Sequence, residues 1–426
     1  MTRTRVVPSI AALFVVAVLS GRASARLADG ALDPDFGDAG TVHSALSEGR
    51  AVAIQPSGKI VVAGTAGHDR FGVARFAPDG TLDPSFGGGD GESVIWFAHP
   101  PNGCFGGFDD VLIQPDAKIV AVGAACGEVG VARFLPDGTL DRGFGRGGTV
   151  LTPVSKRGDG AEANAVTLQP DGKIVVAGAQ PGPESDPAII RYNPDGTLDA
   201  TFHGDGTLVS NVPGSGYATD VAVDAERRIW IAGVESGAVP SVEPSPMVAR
   251  YLPRGRLDPS FGGNGVVQLP TNTLGVHTSL ALDSQGRAVV AATIVKDFMV
   301  ARVHTNGALD PRFSDDGVVT TSLTPGCCDR PLDLVIQPDG KIVVVAEGTT
   351  GHDLQDLLAL ARYTPKGKLD GSFGDHGKVR TMFDDPDARI FSGGLAVAPN
   401  GDLIATGASS EQGNEVLLMA RYVSRS

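Results

Sequence analysis

Seven near-copies of one stretch constrain this chain more than any other feature of it. The clearest copy reads A-R-F-L-P-D-G-T-L-D-R-G-F-G-R-G-G from Ala132 to Gly148. Its arginine recurs as Arg75, Arg133, Arg191, Arg250, Arg302, Arg362 and Arg421. The aspartate of its Leu-Asp pair recurs as Asp33, Asp83, Asp141, Asp199, Asp258, Asp310 and Asp370, and an aromatic follows three residues later at Phe36, Phe86, Phe144, Phe202, Phe261, Phe313 and Phe373. Arginine spacings of 58, 58, 59, 52, 60 and 59 residues lie in the range of stacked repeats rather than independent domains. The 426 residues would allow two or three domains. The repeats nevertheless run from Asp29 to Tyr422 without a compositional break, so one domain is expected over residues 26–426.

Residues 1–25 stand apart. Arg3 and Arg5 precede an apolar run from Ile10 to Leu19, and Ala23-Ser24-Ala25 supplies the small residues a signal peptidase reads. The run is short for a bilayer span. A signal peptide cleaved after Ala25 is expected, which places the rest of the chain in a secreted or periplasmic compartment. No lipobox cysteine follows the run, and the chain closes on Arg421 to Ser426 without a hydrophobic tail, so a membrane anchor is not expected. Cleavage removes three arginines and no acid, taking the formal charge from −14 to −17. A nucleic acid is therefore excluded as the expected partner, and a monomer is expected.

Helical periodicity is nearly absent, whereas 58 glycines and short Val/Ile/Ala runs bounded by turn residues read as many short strands. Four strands fit each period. A first follows a glycine, as in Gly40-Thr41-Val42. A second and third form a hairpin, clearest at Ala165 to Gly178, where Pro170-Asp171-Gly172 supplies fixed φ, a side-chain acceptor and a residue tolerant of positive φ. The fourth carries the repeat arginine. The middle strands are apolar on both faces, and a lone four-stranded sheet cannot bury two such faces. Seven sheets stacked around an axis bury them all and leave no terminal repeat to cap. The chain opens with the last quarter of a repeat, Asp29 to Ala45, and stops at the arginine strand Ala420 to Val423. The expected fold is thus all-β, a seven-bladed β-propeller of four-stranded antiparallel blades, closed by Thr41 to Ala45 completing the C-terminal blade.

The motifs Q-P-D-G-K-I-V-V-A-G (Gln169 to Gly178) and A-R-F-x-P-D-G-T-L-D-x-x-F-G (Ala132 to Gly145) resemble the delta-60 repeat family of bacterial exported proteins over essentially the whole chain after residue 25. The resemblance implies a propeller similar to NHL-type propellers and no assigned activity. Some copies depart from it, the fourth and fifth among them. Asp224-Ala225-Glu226-Arg227-Arg228 and Asp283-Ser284-Gln285-Gly286-Arg287 stand where Q-P-D-G-K is expected, which predicts looser hairpins there.

Seven identical arginines and aspartates point to ring geometry rather than chemistry. Each arginine is expected to hold the Leu-Asp carboxylate of its turn, with Arg421 finding Asp33 across the closure and a bidentate fork favouring Arg over Lys. The phenylalanines are expected in the blade cores.

Function is expected where the copies differ. The links from third to fourth strand and from the outer strand to the next inner strand vary in length, and in an antiparallel blade both emerge at one end. Where the inner strands begin at that end, successive copies read Ala51, Asp110, Ala165, Asp220, Ser279, Asp333 and Gly394, with Arg50, Asp109 and Asn164 one residue earlier. Asp110, Asp220 and Asp333 then fall on alternate blades near a channel mouth. They suit either a hard cation such as calcium, which takes oxygen ligands, or local strand-start bonding. Arg50, Asp109 and Asn164 are ligand-binding candidates at the same mouth. The acidic run Asp384-Asp385-Pro386-Asp387 reads as a solvated loop.

Four cysteines in an exported chain invite pairing. Cys104 and Cys126 suit one disulfide, worth about 3 kcal/mol by loop entropy, and Cys327 and Cys328 are adjacent. Histidine pairs with metal spacing, a nucleophile elbow and a P-loop are missing. His99, His277 and His352 lie in variable loops. The function expected first is a non-catalytic binding scaffold that meets a small molecule, glycan or protein through its variable face. The alternative is a propeller lyase or hydrolase with a divalent cation on Asp110, Asp220 and Asp333.

Overall fold

The structure, a computed structural model, describes residues 27–425 apart from 45, 68–69, 98–105, 155–159, 181–184, 211, 213–215, 236–243, 271–276, 325–328, 350–355, 383–389, 391 and 412–413. The proposed signal peptide, Cys104, Cys327, Cys328, His99, His352 and the Asp384–Asp387 run lie outside them.

Among the described residues there is no helix, and the strands form seven four-stranded antiparallel sheets. Blades 1 to 6 each take four consecutive strands, with inner strands Glu48–Ile54, Asp110–Ile113, Glu162–Leu168, Gly216–Val223, Thr278–Leu282 and Arg330–Ile336. Blade 7 takes its inner strand from Leu395–Val397, and its outer strand is Thr41–Ser44 from the other end of the chain. That strand pairs Thr41 with Ala420 and Ser44 with Leu417. Closure therefore rests on backbone pairing as well as side chains. Each middle strand is buried along nearly its whole length, and each hydrophobic cluster draws its members from two adjacent sheets.

The end that carries the Pro-Asp-Gly turns is held by an arginine clasp repeated seven times. Arg75, Arg133, Arg191, Arg250 and Arg302 donate through Nε to the Oδ2 of Asp83, Asp141, Asp199, Asp258 and Asp310 at 2.7 to 2.9 Å. Arg362 reaches Asp370 at 2.9 Å and Arg421 reaches Asp33 at 2.5 Å. Every guanidinium also lies 4.4 to 4.9 Å from the centroid of its own repeat phenylalanine, all seven of which are fully buried.

The fork is not bidentate on the carboxylate, as the sequence suggested. Its Nη1 donates instead to a main-chain carbonyl of the following blade: Pro136, Pro194, Pro253, Thr305 or Pro365, and Pro78 across the closure. Lysine could not serve three partners in a plane plus a ring beneath. At the sixth blade that role falls to the chain ends, because Arg362 meets both Asp29 and Ser424. Alongside runs a second seam of backbone bonds, each from the residue after a repeat phenylalanine to the next blade, from Gly37 to Asp79 through to Gly374 donating to Asp29. The glycine of the turn is needed there. Gly138 has φ 88° and a Cβ would meet Gly87 N at 2.7 Å.

The lysine of the hairpin motif joins the same clasp. Lys59 and Lys173 reach Asp83 and Asp199 at 2.7 Å. The two divergent hairpins are closed, not loosened. Asp224 accepts the amide and Nε of Arg228 at 2.8 and 2.7 Å and Trp230 Nε1 at 2.8 Å, while Asp283 and Arg287 pair at 2.7 Å. An ion pair within the turn replaces the glutamine.

Candidate functional site

At the opposite end, the start of each inner strand is irregular. Register shifts fall between Gly49 and Ala51, Ala163 and Ala165, Ala218 and Asp220, and Pro331 and Asp333. The extra residue in each case, Arg50, Asn164, Thr219 or Leu332, is turned off the ladder, as a bulge does. These four side chains, with Asp109 and Gly393 at equivalent positions, line a cavity of about 580 Å³ on the axis. Its wall also holds Glu162, Tyr217, His277, Ser185 and Ser392. The size is that of a small-molecule site.

All three sequence candidates for ligand binding thus meet in one cavity. Arg50 bonds Glu48 at 2.6 Å and, across to blade 2, Asp109 at 2.6 Å. Burial lowers the Arg50 pKa, but the two carboxylates outweigh it and the net direction is up. Burial pushes Asp109 up against the pull of Arg50. Asn164 Nδ2 donates to Ala218 O of blade 4 at 2.8 Å. Thr219 donates to Thr278 O of blade 5 at 2.8 Å. His277 is half-buried rather than a free loop residue, and burial, helped by Arg330, lowers it to about 4, so it is a neutral imidazole at pH 7.

Beneath this cavity the seven strand-start residues Ala51, Asp110, Ala165, Asp220, Ser279, Asp333 and Gly394 line one narrower axial space. The three carboxylates there act as staples. Asp110 accepts the amides of Val111 and, in the next blade, Val166, both at 2.7 Å. Asp220 accepts Val221 and Leu280 amides at 2.6 Å, and Asp333 accepts Leu334 at 2.7 Å and Leu395 at 2.8 Å. One aspartate therefore satisfies two blades, which is why carboxylates recur on alternate blades. Ser279 links the remaining pair, donating to Asp220 and Asp333 at 3.1 and 3.0 Å.

Calcium would ask these residues for free oxygens, and each oxygen already accepts a backbone amide. Among the described residues no group of three His, Cys, Asp or Glu side chains is arranged to hold a metal ion. The three aspartates serve first as acceptors that tie neighbouring inner strands together. They also form a strongly perturbed carboxyl cluster. Burial, then the charge of Asp333, raises Asp220 to about 7; burial raises Asp333 to about 6; burial and both neighbours raise Asp110 well above the usual carboxylate range.

Counting back from the strand start found Arg50, Asp109 and Asn164. The same count carried two residues further reaches Glu162 and Tyr217, which the sequence reading missed although the signal was in register. Ser392 stands one residue before Gly393 and so lies in the same count, whereas Ser185 carries no such signal, because it sits in a third-to-fourth-strand link of variable length. Of the cysteines only Cys126 is described, at the end of Ile119–Ala125 with φ 53°.

In overall form the chain is similar to a protein of unknown function from Dyadobacter fermentans (10% identity, 92% of this chain and 100% of that one, TM-score 0.46). It is likewise similar to the polysaccharide lyase Uly1 (10% identity, 95% and 94%, TM-score 0.47) and to a Trypanosoma rangeli sialidase solved with sialic acid (10% identity, 89% and 54%, TM-score 0.41). No curated protein matches by sequence. A family model described as a β-propeller domain of unknown function, DUF5122, matches residues 55–86, 114–144, 169–202 and 337–373. Each match begins at the glutamine of a hairpin motif and ends at or next to the repeat phenylalanine; the repeats built on Asp224 and Asp283 are not matched. In these four repeats, therefore, the chain is similar in sequence to that β-propeller domain family, and all seven blades have the propeller form.

Proposed function

We propose that this protein is an exported, non-catalytic binding scaffold whose ligand is a small polar molecule or short glycan seated in the axial cavity. The observation that carries the reading is the contrast of side chains around one level of the ring. The seven positions that precede the strand start, from Arg50 to Gly393, carry six different residue types, while every one of them is fixed to the same rigid frame. Rigid walls with varied polar groups suit recognition. Tyr217 offers an aromatic face, Asn164, Ser185 and Thr219 offer hydrogen-bonding groups, and the Arg50–Asp109 pair offers a fixed donor and acceptor.

The reading as a cation-dependent lyase or hydrolase is less well supported, because Asp110, Asp220 and Asp333 are committed to backbone amides. An array of glycans and small polar metabolites, probed with the parent and with a Tyr217→Ala/Asn164→Ala variant, tests the proposal. Binding that the variant loses supports it, and binding that the variant keeps sinks it. A calcium-dependent rise in the parent's unfolding midpoint, absent from an Asp110→Asn/Asp220→Asn/Asp333→Asn variant, would favour the enzyme reading instead.

A further inference from the structure

The cavity is unevenly charged. Asp109 and Glu162 stand in its wall, Glu48 lies behind Arg50, and Asp110, Asp220 and Asp333 line the space below. Arg50 is the single cation among the lining residues, and two carboxylates already engage it. His277 adds no positive charge at neutral pH. Glu162 is exposed at the rim, and its negative charge is felt by both Asp109 and Tyr217, raising both. Three groups with affinity for a cation, two carboxylates and an aromatic ring, therefore share one side of the cavity.

The rest of the wall asks for hydroxyls. Asn164, Ser185 and Thr219 present polar atoms, and Ser392 Oγ is buried in the wall without a hydrogen-bond partner among the described residues. A buried hydroxyl left unpaired is costly, and a ligand group that pairs with it recovers that cost. A bare polyamine carries no hydroxyl for it.

Resting on the reading of the cavity as a binding site, we infer that its ligand is an oligosaccharide with free amino groups. The ammonium sits between Glu162, Asp109 and the Tyr217 ring, and the sugar hydroxyls face Asn164, Thr219, Ser185 and Ser392. The wall carboxylates of Glu162 and Asp109 disfavour anionic sugars.

Calorimetric titration of the full chain at pH 7 and low salt with three probes tests this: a glucosamine tetrasaccharide, its fully N-acetylated counterpart, and spermidine. The expected result is at least tenfold tighter binding of the amino tetrasaccharide than of either other probe. Glu162→Gln, an exposed substitution that leaves the unfolding midpoint in place, is expected to weaken the amino tetrasaccharide about tenfold, or about 1.4 kcal/mol, and to leave the acetylated one unchanged. Equal binding of both tetrasaccharides overturns the charge selection while leaving the cavity reading in force. Spermidine binding as tightly as the tetrasaccharide overturns the sugar. Binding of none of the three overturns this inference alone, since the array with the Tyr217→Ala/Asn164→Ala variant judges the cavity separately.

Discussion

The two ends of this propeller solve opposite problems with the same frame. At the turn end, seven arginines meet seven aspartates over seven phenylalanines in one geometry, and each fork reaches the next blade. At the mouth, the residues at one level of the ring are Arg50, Asp109, Asn164, Thr219, Thr278, Leu332 and Gly393, and their contacts across the blades differ from junction to junction. Repetition marks what the ring needs at every blade. Variation marks where the ring makes no such demand. The comparison also separates the charges. Burial alone would push Asp83 and Asp199 up, but lysine, hydroxyl and arginine partners hold them well below the usual carboxylate range. Among the described residues no cation sits beside Asp220 and Asp333, and burial prevails.

The largest effect should come from cutting the clasp where it also holds both chain ends. Arg362 is fully buried against Asp370, Asp29 and Phe373. Arg362→Ala is expected to cost about 3 to 5 kcal/mol, as removal of one partner of a buried ion pair does. Urea unfolding measures it, and an unchanged midpoint would break the assignment of the clasp as structural. Phe144→Ala, fully buried under Arg133, should fall in the same range of about 3 to 5 kcal/mol.

Next comes pH. Clasp carboxylates such as Asp83 have folded pKa values below the unfolded value of 3.8, so their contribution is present above that pH and is lost as pH falls further. Asp220 runs the other way. Its folded value of about 7 lies above the unfolded 3.8, so the folded state holds a proton the unfolded chain releases, and stability falls as pH rises from about 4 to about 7. The groups facing it are Asp333, Asp110 and Ser279. We expect the unfolding midpoint to peak near the bottom of that window and to drop by on the order of 2 to 4 kcal/mol toward neutrality. Asp220→Asn should lower the peak and flatten the slope. A slope identical in the variant would show that the cluster does not set it.

A smaller effect of opposite sign is expected at the divergent hairpin of blade 4. Arg227 holds φ 62° where five other repeats place glycine and the second places Ala117, and its ion pair with Asp171 is long and exposed. Arg227→Gly should stabilise by about 0.5 to 1 kcal/mol, read as a raised thermal midpoint. Smallest of all, Glu162→Gln at the mouth should move stability by no more than about 0.5 kcal/mol. If it destabilised as much as Arg362→Ala, the division between a structural end and a working end would fail.

The repeat count, the four strands per period and the closure by Thr41–Ser44 were legible from residue order, because each depends on local pattern: turn chemistry at Pro-Asp-Gly, alternation of small and large apolar residues, and a chain cut inside a repeat. Position in the repeat also located Arg50, Asp109 and Asn164 at the mouth. The partner that each side chain would choose was not legible. Arg75 was expected to fork onto Asp83, but its second arm goes to Pro136, which lies a whole repeat away in sequence and beside it only once the blades are stacked. Asp110, Asp220 and Asp333 were open to a cation or, more readily, to local strand-start bonding; that each also accepts an amide of the neighbouring blade is something only the closed ring brings about. The sequence by itself determined the unit and its number, since short-range sterics and burial period govern those. Only the tertiary structure decided which residues share the axis and whether their oxygens are free, because those depend on distances between residues some sixty apart in the chain.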